Sequence, residues 1–206
     1  VSTAARLAQL RLEAEPLLAA FERFDPRQLE AWLGLSHGRG FLPRGIKVYT
    51  RARYWHVKIR IGVGSPADLV FEASFGLPWK PGGVRLTTAA AHAPAGTDWF
   101  PIVGITSLQC HALAMRCLEA LGAPYAWLSG LRFVPIVRVV LGDRESRRDR
   151  PRFNCSKFAL VMLRAVGLEP IPRMPAFRCA PGHFLNSAIL ADPVTLDASG
   201  PELVPG

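Results

Sequence analysis

The chain of 206 residues contains no Cys-x-x-Cys pair. Its four cysteines, Cys110, Cys117, Cys155 and Cys179, are therefore spaced for neither a zinc ribbon nor a thioredoxin-type redox site. Their spacings match no common iron–sulfur signature either. The chain is too long to need disulfide staples, so a reducing compartment is the default expectation: cytoplasmic, unless the protein is delivered to a periplasm or built into a virion. No uncharged apolar run is long enough to cross a bilayer. The stretch LRFVPIVRVVL at 131–141 is short and is interrupted by Arg132, Pro135 and Arg138. The N-terminus lacks the basic-then-apolar order of a secretory signal, and no internal repeat is present.

What remains is a chain that is 50% hydrophobic, enough for one sizeable core and too much for general disorder. Eighteen glycines and eighteen prolines imply many turns. The formal charge of +9 and the isoelectric point near 10.1 favour anionic surroundings such as wall polymers or anionic lipid. The arginines are spread out except in RESRRDRPR at 144–152. That run is diluted by Glu145 and Asp149 and lacks the interleaved aromatics of single-strand binding surfaces, which argues against nucleic acid as the partner.

Hydrophobic periodicity predicts a helix over 2–24 and a short helix over 26–34, with Asp25 as its cap and Pro26 in its first turn. A glycine-rich loop follows at 36–45. Strands are expected at 46–50, 55–64, 68–74, 84–88 and 99–105, with 55–74 forming a hairpin around GSPAD. In WHVKIRIGVG, His56, Lys58 and Arg60 fall on one face and Val57, Ile59 and Ile61 on the other. Residues 89–98 read as loop. Thr106 or Ser107 caps a helix over 107–122 in which Cys110, Ala114, Cys117 and Leu121 form a core stripe. A last helix runs from 155 to about 166, ended by Gly167. Residues 170–182 are irregular, 183–190 form a short apolar element, and the C-terminal stretch reads as a mobile tail.

Cys155 stands apart from the other thiols because it opens a helix. A helix N-terminus favours the thiolate and offers free N–H groups to an oxyanion. Phe158, Val161, Met162 and Ala165 supply an apolar face that would hold that helix still. A nucleophilic thiol needs an imidazole on a separate rigid element. Of the five histidines, only His56 opens a well-formed strand. Glu72, the one charge in the apolar run of the next strand, is close to a cross-strand partner of His56. Two readings of it stay open: a group that orients the imidazole, or an edge carboxylate facing water or an arginine.

Four segments in this order, WHVKIRIG, LVFEAS, LGAPYAWLSG and FNCSKFALVMLRAVGL, resemble the circularly permuted papain-like hydrolases, relatives of bacterial NlpC-type cell-wall peptidases. Members carry a strand of the form HVAIYIG, then VIEA, then G-x-P-Y-D-W, then a CS-headed helix ending in Gly-Leu. The resemblance covers 46–190. It departs from the pattern at Lys157, where an acidic residue is common, and at Ala126, which replaces the Asp. It implies an α+β fold with a permuted papain-like core: an antiparallel sheet packed against the nucleophile helix. The division it suggests is an N-terminal helical extension at 1–45, the NlpC-type domain at 46–190 and a tail at 191–206.

The resemblance further implies Cys155 as nucleophile, His56 as base and Glu72 as third polar residue. Tyr54, Tyr125 and Ser156 are then candidates for substrate or oxyanion contacts, beside the backbone N–H of Cys155. Such an enzyme opens an amide through an acyl-enzyme, with no metal or other cofactor. The expected substrate is a peptidoglycan peptide amide, with other acyl compounds behind it. The alternative is a non-enzymatic component of a phage tail or secretion assembly, ordered by protein partners, with the cysteines as possible iron–sulfur ligands.

Overall fold

In the computed structural model, the described residues are 12, 14–19, 21–37, 53–76, 82–126 and 152–194. Five strands build one antiparallel sheet: β1 (Glu30–Ser36), β2 (His56–Gly62), β3 (Leu69–Ser74), β4 (Gly83–Thr88) and β5 (Thr97–Pro101). Their spatial order is β4-β3-β2-β1-β5, which leaves β2 in the middle. Helices α1 (Ser107–Glu119) and α2 (Cys155–Ala165) pack on it; residues 14–19, within the helix expected over 2–24, are helical as well. This is the expected α+β class, with the Cys155 helix against the sheet.

Two stretches differ from the sequence reading. The helix expected over 26–34 is only a 3-10 turn, Pro26–Gln28, capped by Asp25 as foreseen. Residues from Glu30 onward form β1 instead, and the chain upstream of residue 46 thus contributes a strand lying between β2 and β5. The run AWLGL satisfies either periodicity over so short a span, and pairing on both edges decides for the strand. The second difference is at 89–98, read as loop, which contains the 3-10 turn Ala90–Ala95 and the start of β5. The strand expected at 46–50, the apolar segment 131–141, nearly all of the charged loop and most of the tail lie outside the described residues.

Strand β2 is buried along its whole length because both faces of the sheet are covered. On one side Val57, Ile59 and Ile61 meet Phe158, Leu160 and Leu163 of α2 in the main core. On the other, Trp32, Val70 and Trp99 form a smaller cluster. There the Arg60 guanidinium lies 5.0 Å from the Trp32 ring centroid and 5.5 Å from that of Trp99. Arg60 is also bound to the fully buried Asp68 at 2.7 Å. The same carboxylate accepts from the backbone N–H groups of Val63, Gly64 and Ser65, so one side chain closes the β2–β3 turn. Gly64, at φ +84°, takes the left-handed position that turn requires.

Helix α1 begins with a capping box, Thr106 and Gln109 bonding each other's backbone N–H. Its buried face is Cys110, Leu113, Ala114 and Cys117, which holds three of the four residues of the expected stripe; the helix stops at Glu119, and Leu121, past its end, is only partly buried against the core. Helix α2 is capped by Asn154, whose Oδ1 accepts from the Lys157 N–H at 2.7 Å. It ends at Gly167, φ +81°, where the Gly167 and Leu168 N–H groups bond back to Arg164 and Leu163. A parallel bridge between Tyr125 and Phe153 ties the approach to α2 to the segment following α1.

Candidate active site

The first residue of α2 and the first residue of β2 meet. Cys155 and His56 share a side-chain hydrogen bond, and His56 Nε2 lies 2.7 Å from Glu72 Oε2. Since Nε2 is taken by the carboxylate, Nδ1 is the ring nitrogen left for the sulfur. Glu72 is not directly opposite His56. The β2–β3 register pairs Ile59 with Phe71, and continuing it puts Lys58 opposite Glu72 and His56 one step along the diagonal. A diagonal neighbour is within reach of a long side chain.

All three residues are nearly closed to solvent, with His56 6%, Glu72 4% and Cys155 7% exposed. Burial alone would discharge each of them. For His56, burial pulls the pKa down, but the hydrogen bonds to Cys155 and Glu72 and the charges of both outweigh it, raising it to about 9. For Cys155, burial pushes up, and the His56 hydrogen bond and charge, the Val57 backbone N–H and the Ser156 hydroxyl together pull the thiol below its ordinary value. Glu72 is likewise opposed by burial and held well below the usual carboxylate range by His56 and then Arg85. The three shifts all run toward a thiolate facing an imidazolium backed by a carboxylate.

Arg85, directly across from Glu72 on β4, is a part of this chain that sequence reasoning missed. Its Nε donates to Glu72 Oε1 at 2.9 Å, and its other arm donates to Ser74. Both open readings of Glu72 therefore meet in one residue, with one oxygen on the histidine and the other on the arginine. The signal was present as alternation in VRLTT, but register between β3 and β4 is not legible without the turn that joins them. On the far side of Glu72, buried Lys58 donates to His92 Nδ1 at 2.9 Å, and the His92 Nε2 pairs with Thr87 at 2.7 Å. Burial lowers Lys58; burial and the Lys58 charge bring His92 down to about 4.

The remaining candidates divide. Ser156 Oγ lies 3.9 Å from the sulfur and is 2% exposed. Tyr125 is close enough for the thiolate charge to add to burial in pushing its phenol far up, and its ring meets Phe75 edge-on. The Tyr54 hydroxyl donates to Asp98 at 2.6 Å, and burial and that bond push it up to about 12. Trp55, beside it in sequence, stacks on the His56 ring at 5.2 Å. Cys179 is buried, its thiol pushed up to about 12 by burial and the Cys155 charge.

No protein-family model matches the chain, and no curated protein matches it. Among solved structures, the crystal structure of the metalloprotein yiiX from Escherichia coli O157:H7, DUF1105, is similar, with a TM-score of 0.55 at 15% identity over 83% of this chain and 98% of that one. The residues of this chain do not fit a metal at the Cys155 site. His56 has committed both ring nitrogens, and among the described residues no three His, Cys, Asp or Glu side chains converge as a ligand set, the four cysteines included. Among the described residues no helix is long and apolar enough to cross a membrane. The likeness to yiiX is one of fold, the α+β arrangement in which this chain's five-stranded antiparallel sheet carries packed helices.

Proposed function

We propose that the protein is a cysteine hydrolase of the permuted papain-like, NlpC-related group, acting on an acyl bond. The observation that carries this is the Cys155–His56–Glu72 chain at the N-terminus of a rigid, buried helix. Four sequence segments in the family's order support it, as does the shared fold. Peptidoglycan peptide amides are the substrate class we favour, on the resemblance and on the basic charge of +9.

The chemistry follows from the protonation states. The Cys155 thiolate attacks the carbonyl carbon, and the developing oxyanion is met by N–H groups at the start of α2. The C–N bond breaks as His56 gives its proton to the leaving amine, leaving a thioester on Cys155. Water then attacks that thioester. His56 takes a proton from the water, the C–S bond breaks, and the acid product departs from a restored thiolate–imidazolium pair. Glu72 holds the imidazole in orientation and stabilises its charged form throughout.

The test is iodoacetamide labelling at neutral pH followed by peptide mapping, together with release of free amine from muropeptides. Preferential labelling of Cys155 over the other three thiols is expected; equal reactivity of all four would sink the proposal. The near-complete shielding of the sulfur favours a second reading, a wall- or virion-associated component in which the fold serves as a packing unit. That reading predicts slow labelling of Cys155 and recovery with other subunits.

A further inference from the structure

Asn154 carries a donor that its local role leaves unexplained. Its Oδ1 caps α2 through the Lys157 N–H, but its Nδ2 is buried with no hydrogen-bond partner. The residue is only 3% exposed. A buried amide N–H without an acceptor is destabilising and rare, so it calls for a reason. Capping is not that reason. Asp or Ser caps a helix as well as Asn does and brings no NH₂ group.

The carboxamide is held over the first turn by its own capping bond, so Nδ2 sits at the end of α2 where Cys155 begins the helix. The N–H groups of Cys155 and Ser156 belong to the set that a helix leaves without intrahelical acceptors. We infer that Asn154 is a catalytic residue of the hydrolase read above: its Nδ2, with the Cys155 backbone N–H, forms the hole that holds the substrate carbonyl oxygen as it becomes an oxyanion. Asn154, Cys155 and His56 are all buried, and the residue that carries the unpartnered donor is the one directly before the nucleophile. The unpartnered donor is then a site prepared for a charge that exists only during reaction.

This inference rests on the cysteine-hydrolase reading, and the experiment separates the two. Alkylation of Cys155 by iodoacetamide passes through no oxyanion and reports the thiolate alone. Acylation by p-nitrophenyl acetate, read as the burst of p-nitrophenol, passes through a tetrahedral oxyanion. Asn154→Ser keeps a capping oxygen and loses the amide donor. We expect its acylation to slow about 100-fold while alkylation stays within about twofold of the parent. Asn154→Asp keeps both volume and cap; its added charge slows both reactions, so the ratio of acylation to alkylation is the readout and should fall by a similar factor. It serves where the serine variant melts. An unchanged ratio in either folded variant overturns the role of Asn154. A parent protein whose Cys155 alkylates no faster than Cys110 overturns the hydrolase reading itself, and this one with it.

Discussion

Helix α1 carries Cys110 and Cys117 inside its length, and helix α2 carries Cys155 at its first position. All three thiols are buried, at 0%, 0% and 7% exposure, yet they are pushed in opposite directions. Burial raises Cys110 to about 11, with the Glu30 charge adding to it, and puts Cys117 well above the usual thiol value. At Cys155 the same burial is overcome by the imidazolium, a backbone N–H and a neighbouring hydroxyl. The difference lies in place along the helix. A thiol in mid-helix faces side chains and a saturated backbone. A thiol at the first residue faces open N–H groups and whatever element packs across that end.

The sharpest way to break the comparison is to remove sulfur from each helix in turn. Cys155→Ala should reduce p-nitrophenyl acetate acylation to background, a loss of about 10⁴-fold or more. Cys110→Ala should leave the rate within about twofold. If stopped-flow release of p-nitrophenol gives comparable losses for both, the chemical distinction between the helices is false.

Next in size is the loss of the group that inverts the thiol's behaviour. His56→Gln removes the imidazolium and leaves burial opposed only by the Val57 N–H and the Ser156 hydroxyl, so the Cys155 pKa rises from its depressed position. The thiolate fraction at pH 7 then drops, and alkylation should slow by about 100-fold. In the parent, turnover should fall as pH rises through about 9, because the raised pKa of His56 marks where the proton needed by the leaving amine is lost. A flat profile of amide hydrolysis between pH 8 and about 10 would contradict the assigned proton.

Smaller again is the expected effect of Cys117→Ser. It places a hydroxyl in a fully buried apolar site and should lower the unfolding free energy by about 1–3 kcal/mol in urea titration. Acylation by the folded fraction should be unchanged. A loss of activity without a loss of stability would mean that α1 is coupled to the site.

Local grammar made much of this legible. The 2–3 hairpin, the capping of α1 at Thr106, its thiol stripe and the stop at Gly167 all follow from residues adjacent in sequence. His56 and Cys155 stood out because each opens an element. The signals that failed were short or non-local. AWLGL carries too few residues to separate a period of 2 from one of 3.6, and its pairing with both β2 and β5 is visible only in space. Tyr54 precedes the histidine strand and so looked available to the site, but Asp98, 44 residues away, holds its hydroxyl. Asn154 was not singled out in the sequence, where the cysteine after it drew the attention, and nothing in the sequence says that its second amide atom lacks a partner.

Arg85 offers the finest distinction, between a residue that makes the site and one that steadies it. It pairs with Glu72 across the β3–β4 ladder, but its side chain is 39% exposed and solvent screens the interaction. Arg85→Met should therefore reduce acylation by no more than about tenfold at neutral pH, with Arg85→Lys restoring part of the loss. The pH profile is the more telling measurement. The pKa of Glu72 is depressed, with Arg85 among its causes, so removing that charge moves it up toward the ordinary carboxylate value. A carboxylate needed in ionised form is lost as pH falls through its pKa; the acid limb of activity should accordingly shift to higher pH in Arg85→Met and return partway in Arg85→Lys. A simple loss of packing would lower the rate at every pH alike, so a limb that stays in place would mean that Arg85 braces the sheet edge and leaves the charge of Glu72 untouched.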